Sequence, residues 1–125
     1  MNSPKTLFDK IWDDHVVADL GDGFALIFVD RHLVTELSSR QFQRLKERNI
    51  PLKFPQYTFA VSDHSVPTLC PPGVTPEERQ TQYTRKMKEA AHDFGVTHFD
   101  VDSPYQGISN IVGPELGLAL PGSTL

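Results

Sequence analysis

The chain has 125 residues, of which 38% are hydrophobic and 22% charged, with a formal net charge of −4. That length and balance fit one globular domain over residues 1–125 and argue against disorder. No basic run is longer than Arg85–Lys86 and no apolar stretch is long enough to span a membrane, so nucleic acid and membrane are not expected partners and the cytoplasm is the expected location.

Taken in chain order, the pattern alternates helices and strands and predicts an α/β layer fold with an open, mostly parallel sheet and flanking helices. Thr6 with Asp9 forms a capping box for a first helix, whose apolar stripe is Leu7, Phe8, Ile11, Trp12 and Val16, with His15 beside it. Gly21-Asp22-Gly23 marks a tight turn. Phe24-Ala25-Leu26-Ile27-Phe28-Val29 is apolar on both faces, as a strand in the middle of a covered sheet would be. Ser38 with Gln41 predicts a second capping box, opening a helix to about residue 48 that buries Phe42 and Leu45. Pro51 and Pro55 bracket an extended piece, and residues 57–61 read as a second buried strand.

Residues 65–74 form a proline-rich loop containing Cys70. This single thiol cannot make an internal disulfide, lacks a basic neighbour to activate it, and reads as structural. Thr75-Pro76-Glu77-Glu78 starts a helix with Tyr83, Met87, Ala90, Ala91 and Phe94 on its apolar face and Gly95 at its end. A short strand over 97–101 follows, then loop from Pro104 with one helical turn near 110–115. The apolar tail, 116–125, is expected to need cover.

Two polar clusters follow predicted strands, Asp30-Arg31-His32 and Asp63-His64. In open α/β sheets ligands bind beyond the carboxyl ends of strands, so both are candidate sites. An Asp beside a His can fix the imidazole tautomer and raise its pKa, which suits a general acid. Neighbours on an extended chain diverge, so the pairing requires a bend. Such residues also cap helices and tie loops together, and that structural role remains the competing reading. His15, His92 and His98 read as surface or core residues, and no spacing suggests a zinc site.

Thr6-Leu7-Phe8-Asp9-Lys10-Ile11-Trp12 with His15-Val16-Val17, Asp30-Arg31-His32-Leu33-Val34, and Phe59 through Thr68 with its Asp63-His64-Ser65-Val66-Pro67-Thr68 core occur here in order. Phe94-Gly95-Val96, Gly113-Pro114-Glu115 and Leu120-Pro121-Gly122-Ser123-Thr124 follow. Together they resemble the N-terminal segment of 3-isopropylmalate dehydratase large subunits, of the aconitase family. The resemblance implies a hydro-lyase of leucine biosynthesis that moves water on a small carboxylic acid. It also implies a 4Fe–4S cluster held by three cysteines, a small-subunit partner, and Asp63 and His64 as the catalytic acid pair.

Three departures stand out. The matching segment stops before the cluster cysteines, so no cofactor or metal ligands are expected in this chain and activity alone is not expected. Thr35 and Asn110 occupy substrate-binding positions where the family carries histidines, and neither can exchange a proton near neutral pH. Two alternatives follow: a non-catalytic binding module that forms homo-oligomers or docks a partner, and a metal-free acid/base enzyme using His64 and Asp63.

Overall fold

The computed structural model describes residues 4–67 and 71–125, so the loop thiol Cys70 lies outside the described residues. In chain order the elements are α1 (Leu7–His15), β1 (Val16–Gly21), β2 (Phe24–Ile27), β3 (His32–Thr35), α2 (Ser39–Glu47), β4 (Thr58–Val61), α3 (Pro76–Arg79), α4 (Gln82–Phe94), β5 (Thr97–Phe99) and α5 (Ser109–Glu115). None of the described helices is long and apolar enough to cross a membrane.

The α/β core is a parallel sheet of three strands in the order β3-β4-β5. Thr58, Ala60 and Val61 of β4 are buried, as a central strand covered on both faces must be. Helices α2 and α4 pack against each other over the sheet. Val34, Phe42, Ala60, Met87, Ala91 and Val96 form the core beneath them, and Phe42 meets Phe94 edge-on at 5.4 Å. The opposite face of β3 carries Leu33, against which α5 lies. A β-carbon on Gly113 would come within 3.2 Å of Leu33 Cδ2, so glycine lets α5 approach this closely.

The first apolar run is not a central strand. β2 pairs antiparallel with β1 as a hairpin separate from the parallel sheet. Its two-residue turn is Asp22-Gly23, both with positive φ, the backbone that matches strand twist across a tight hairpin. The hairpin leaves its apolar side chains in solvent, with Phe24 72% exposed. The apolar stripe of α1 is likewise outside the core: Phe8 stacks on Trp12 but stays 68% exposed. Apolar periodicity reported the helix correctly and its cover incorrectly.

Several caps formed as the residue pattern predicts. Thr6 and Asp9 make the reciprocal capping box of α1, and Gly95 ends α4 in the left-handed conformation. Ser38 makes no side-chain cap; a short 3-10 turn over Glu36–Ser38 leads into α2 instead. The helix predicted to run on from Thr75 is broken. Thr75 and Glu78 box a single turn, Gln80 is extended, and Thr81 with Thr84 starts α4 afresh.

The tail does not stand free of its own chain. Leu118 and Ala119 return backbone N–H groups to the Gly113 carbonyl at 2.8 and 3.0 Å, closing α5. Thr124 donates its N–H to Asp30 Oδ2 at 2.9 Å and its hydroxyl to the Phe28 carbonyl at 2.9 Å. The tail thus folds back onto the connection between β2 and β3.

Met87 is fully buried at the centre of this core. Met87→Ala is expected to cost about 2–5 kcal/mol, and Met87→Leu less than about 1.5 kcal/mol. Urea unfolding midpoints check this order; equal midpoints would remove Met87 from the structural centre.

Candidate active site

The three parallel strands end side by side, and each is followed by a carboxylate: Glu36 after β3, Asp63 after β4 and Asp100 after β5. Two of these carboxylates meet around His64. The chain bends from His64 to Val66, which removes the divergence expected of neighbours on an extended strand. The His64 Nδ1–H donates to Asp63 Oδ1. Asp63 Oδ2 accepts the Ser109 N–H at 2.7 Å. That donor is one of the unpaired groups at the start of α5, whose N-cap Ile108 has no side chain able to accept it. Asp63 therefore anchors the histidine and caps α5 from another element.

Behind this pair, the fully buried carboxylate of Glu36 accepts two backbone N–H groups, from Asp63 at 3.1 Å and from Ser65. The Asp63 side chain is 4% exposed and that of His64 54% exposed, so the acid is enclosed while the base reaches solvent. Nε2 of His64 makes no hydrogen bond among the described residues.

The electrostatics match this geometry. Burial pushes the Asp63 carboxyl up, but the Ser109 N–H and the His64 ring outweigh it and hold the group below the ordinary carboxylate range. The hydrogen bond and charge of Asp63 raise the His64 imidazole above its ordinary value, with Glu36 adding to the pull. An arrangement like this favours the imidazolium and presents its Nε2–H to solvent, where a ligand could take it.

Thr35 and Asn110 also come together. With His32, Ser109 and Leu125 they line a cavity of about 530 Å³ between β3 and α5. Thr35 points there because it shares the Leu33 face of β3, while Val34 enters the core. Ser109 links this cavity to Asp63 through its backbone, although His64 is not among the residues that line it.

Asp30-Arg31-His32 sits elsewhere. Because the real parallel strand is β3, this cluster lies at its amino end, away from Asp63. Asp30 Oδ2 accepts from His15 Nε2 at 2.7 Å and from the Thr124 N–H, while His15 Nδ1 faces the Ile11 carbonyl at 2.6 Å. Two acceptors on two ring nitrogens favour the imidazolium, and the pKa of His15 is raised by the Ile11 carbonyl and Asp30. Arg31 lies 4.7 Å over the Tyr57 ring. Asp30 and Arg31 are thus held in structural ties, whereas His32, the first residue of β3, lines the cavity with Thr35 and Asn110.

Sequence reasoning missed the second polar network. Ser62 Oγ donates to Asp100 Oδ1 at 3.1 Å and lies 2.9 Å from His98 Nε2. Because Asp100 takes the hydroxyl proton, His98 donates Nε2–H to Ser62, and burial lowers the pKa of His98. Asp100 bonds the serine and not the far nitrogen of the histidine, so this is not a nucleophile–base relay. It braces the end of β4, directly before Asp63. The signal available was an alternation of polar residues, His98 and Asp100, along a short strand.

The sequence profile of the aconitase family (aconitate hydratase) matches residues 9–125. The chain belongs to the aconitase family. No solved structure matches it significantly. Aconitase-family proteins are hydro-lyases that normally bind a 4Fe–4S cluster. The donor set of this chain does not fit that group, because clusters take several thiolates and the sequence has one cysteine. Atoms of Glu36, Asp63 and His64 lie within 4.8 Å of one another, but each carboxylate oxygen already accepts a hydrogen bond. These three residues are held together by the protein's own donors.

The stability of the pair follows its charges. His64 is raised, so its contribution is present below the unfolded pKa and lost as pH rises through the folded one. Asp63 is depressed, so its contribution is present above the unfolded pKa and lost as pH falls through the folded one. The pair is therefore expected to stabilise most between roughly pH 4 and 6.5. Comparing urea midpoints across pH for the native chain and Asp63→Asn checks this. A difference between the two that does not vary with pH would dissolve the pairing.

Proposed function

We propose that this chain is the N-terminal segment of a 3-isopropylmalate dehydratase-type large subunit, in which His64 handles the substrate hydroxyl proton. Membership of the aconitase family supports the hydro-lyase reaction, and the ordered motifs around Asp63-His64-Ser65-Val66-Pro67-Thr68 support the isopropylmalate branch. The observation that carries the reading is the Asp63–His64 hydrogen bond at the carboxyl end of β4. In the dehydration direction the imidazolium gives its Nε2 proton to the departing hydroxyl, which leaves as water as the C–O bond breaks. The proton on the adjacent carbon passes to a base supplied by the rest of the assembled site, and its C–H electron pair becomes the C=C bond. Asp63 keeps Nδ1 protonated throughout, and on rehydration the imidazole recovers its proton from incoming water. The cavity holding Thr35 and Asn110 contributes the neighbouring substrate wall, with hydrogen-bonding groups in place of ionisable ones. The proposed setting is cytoplasmic leucine biosynthesis, with a small subunit completing the site.

Titration with 2-isopropylmalate, followed by nuclear magnetic resonance, tests this reading. Shifts are expected at His64, Ser109 and Asn110, larger than those produced by citrate. Equal response to citrate would return the substrate to the wider family, and no response at these residues would defeat the reading. Turnover by the chain alone, lost in His64→Ala, would instead establish metal-free acid/base catalysis.

A second reading has its own observation. α1 and the β1–β2 hairpin expose Leu7, Phe8, Val17, Leu20, Phe24 and Leu26 together outside the core. Exposed apolar area on this scale favours association, here as a homo-oligomer. Light scattering at micromolar concentration is expected to show assemblies that Leu20→Lys with Phe24→Lys disperses at unchanged melting temperature. A monodisperse native monomer would end this reading.

A further inference from the structure

Glu36 is fully buried, yet no lysine or arginine pairs with it among the described residues. Burying a carboxylate is expensive unless donors satisfy it. Here both donors are backbone groups, and they come from the residues on either side of His64. Asp63 N–H reaches Oε2 at 3.1 Å and Ser65 N–H reaches Oε1. The same bend is held on its outer side by the Ser65 hydroxyl, 3.0 Å from the Thr81 hydroxyl that caps α4. Ser62 immediately upstream is locked by Asp100, and its carbonyl accepts Gln106 Nε2 at 2.9 Å. Of the 62–65 segment, only the His64 side chain is left facing solvent.

Resting on the reading of Asp63–His64 as an acid pair, we propose that Glu36 is a positioning residue whose two-point grip on the Asp63 and Ser65 amides holds the His64 ring on Asp63. The grip acts through geometry. It fixes the backbone of the bend, so the imidazole can reach Asp63 Oδ1 only through Nδ1, and Nε2 is always the nitrogen presented outward. A carboxylate suits this task because it offers two acceptors and no donor. A glutamine of the same shape accepts one amide and turns its own N–H₂ toward the other, so one end of the bend is released. The charged groups facing His64 are Asp63 on its own segment and Glu36 from the end of β3.

The test is nitrogen-detected titration of His64 in the native chain, Glu36→Gln and Asp63→Asn, with circular dichroism to show that each is folded. In the native chain a raised pKa and a single neutral tautomer, protonated on Nδ1, are expected. Glu36→Gln should lower the pKa toward that of free histidine and mix the tautomers, although Asp63 is untouched. A folded Glu36→Gln that keeps both native values would overturn the proposal. Asp63→Asn separates it from the reading beneath: if that variant leaves His64 unchanged, the acid pair itself does not exist. Should Glu36→Gln fail to fold, amide exchange in the native chain decides. The Asp63 and Ser65 amides are expected to be protected at least tenfold more than that of His64, and equal exchange at all three overturns the grip.

Discussion

The buried carboxyl group of Glu36 sets a requirement that organises the whole carboxyl edge of the sheet. A carboxylate sealed from water needs donors within hydrogen-bonding distance, and the sheet supplies them by bringing β3 and β4 into parallel register with Thr35 beside Val61. The chain leaving β4 must therefore bend across the end of β3. That bend turns two adjacent residues, Asp63 and His64, toward each other. From it follow the enclosed acid, the exposed base and the capped start of α5. Hydrophobic packing beneath, centred on Met87 and Ala60, keeps the two strands close enough for this to hold.

Two polar networks lie along this edge. Asp100 and His98 share Ser62, while burial lowers the pKa of His98 and leaves its Nδ1 without a partner among the described residues. Asp63 instead bonds a helix amide and a solvent-facing ring, and the pKa of that ring is raised. Two histidines, one on β5 and one in the bend after β4, are thus pushed in opposite directions by their surroundings, His98 by burial and His64 by an anionic neighbour. Only the second keeps a nitrogen available to a ligand.

Much of this was legible in the residues. The run Thr58-Phe59-Ala60-Val61 marked the central strand, and the position of Asp63-His64 just after it marked a candidate site. β3 was not legible, because only Leu33 and Val34 are apolar in a segment of four residues. Its absence drew the first apolar run into the sheet by default. The Asp22-Gly23 turn carried the opposite message, since a two-residue turn with that composition belongs to a hairpin. Glu36 could not be found from local pattern at all: its partner amide lies 27 residues away. Periodicity finds the faces of elements, whereas a buried acid is explained only by what another element brings to it.

The tie between Thr124 and Asp30 joins residues 94 positions apart. Closing a flexible loop of that length from an unfolded chain costs ~4 kcal/mol of entropy, more than a few hydrogen bonds return. The knot becomes favourable only after β3, β4 and β5 have assembled and drawn the two ends together. It is thus a late event in folding and an early one in opening. The polypeptide carries a clasp around a centre that other contacts build, and the His15 end of α1 is released or secured with it.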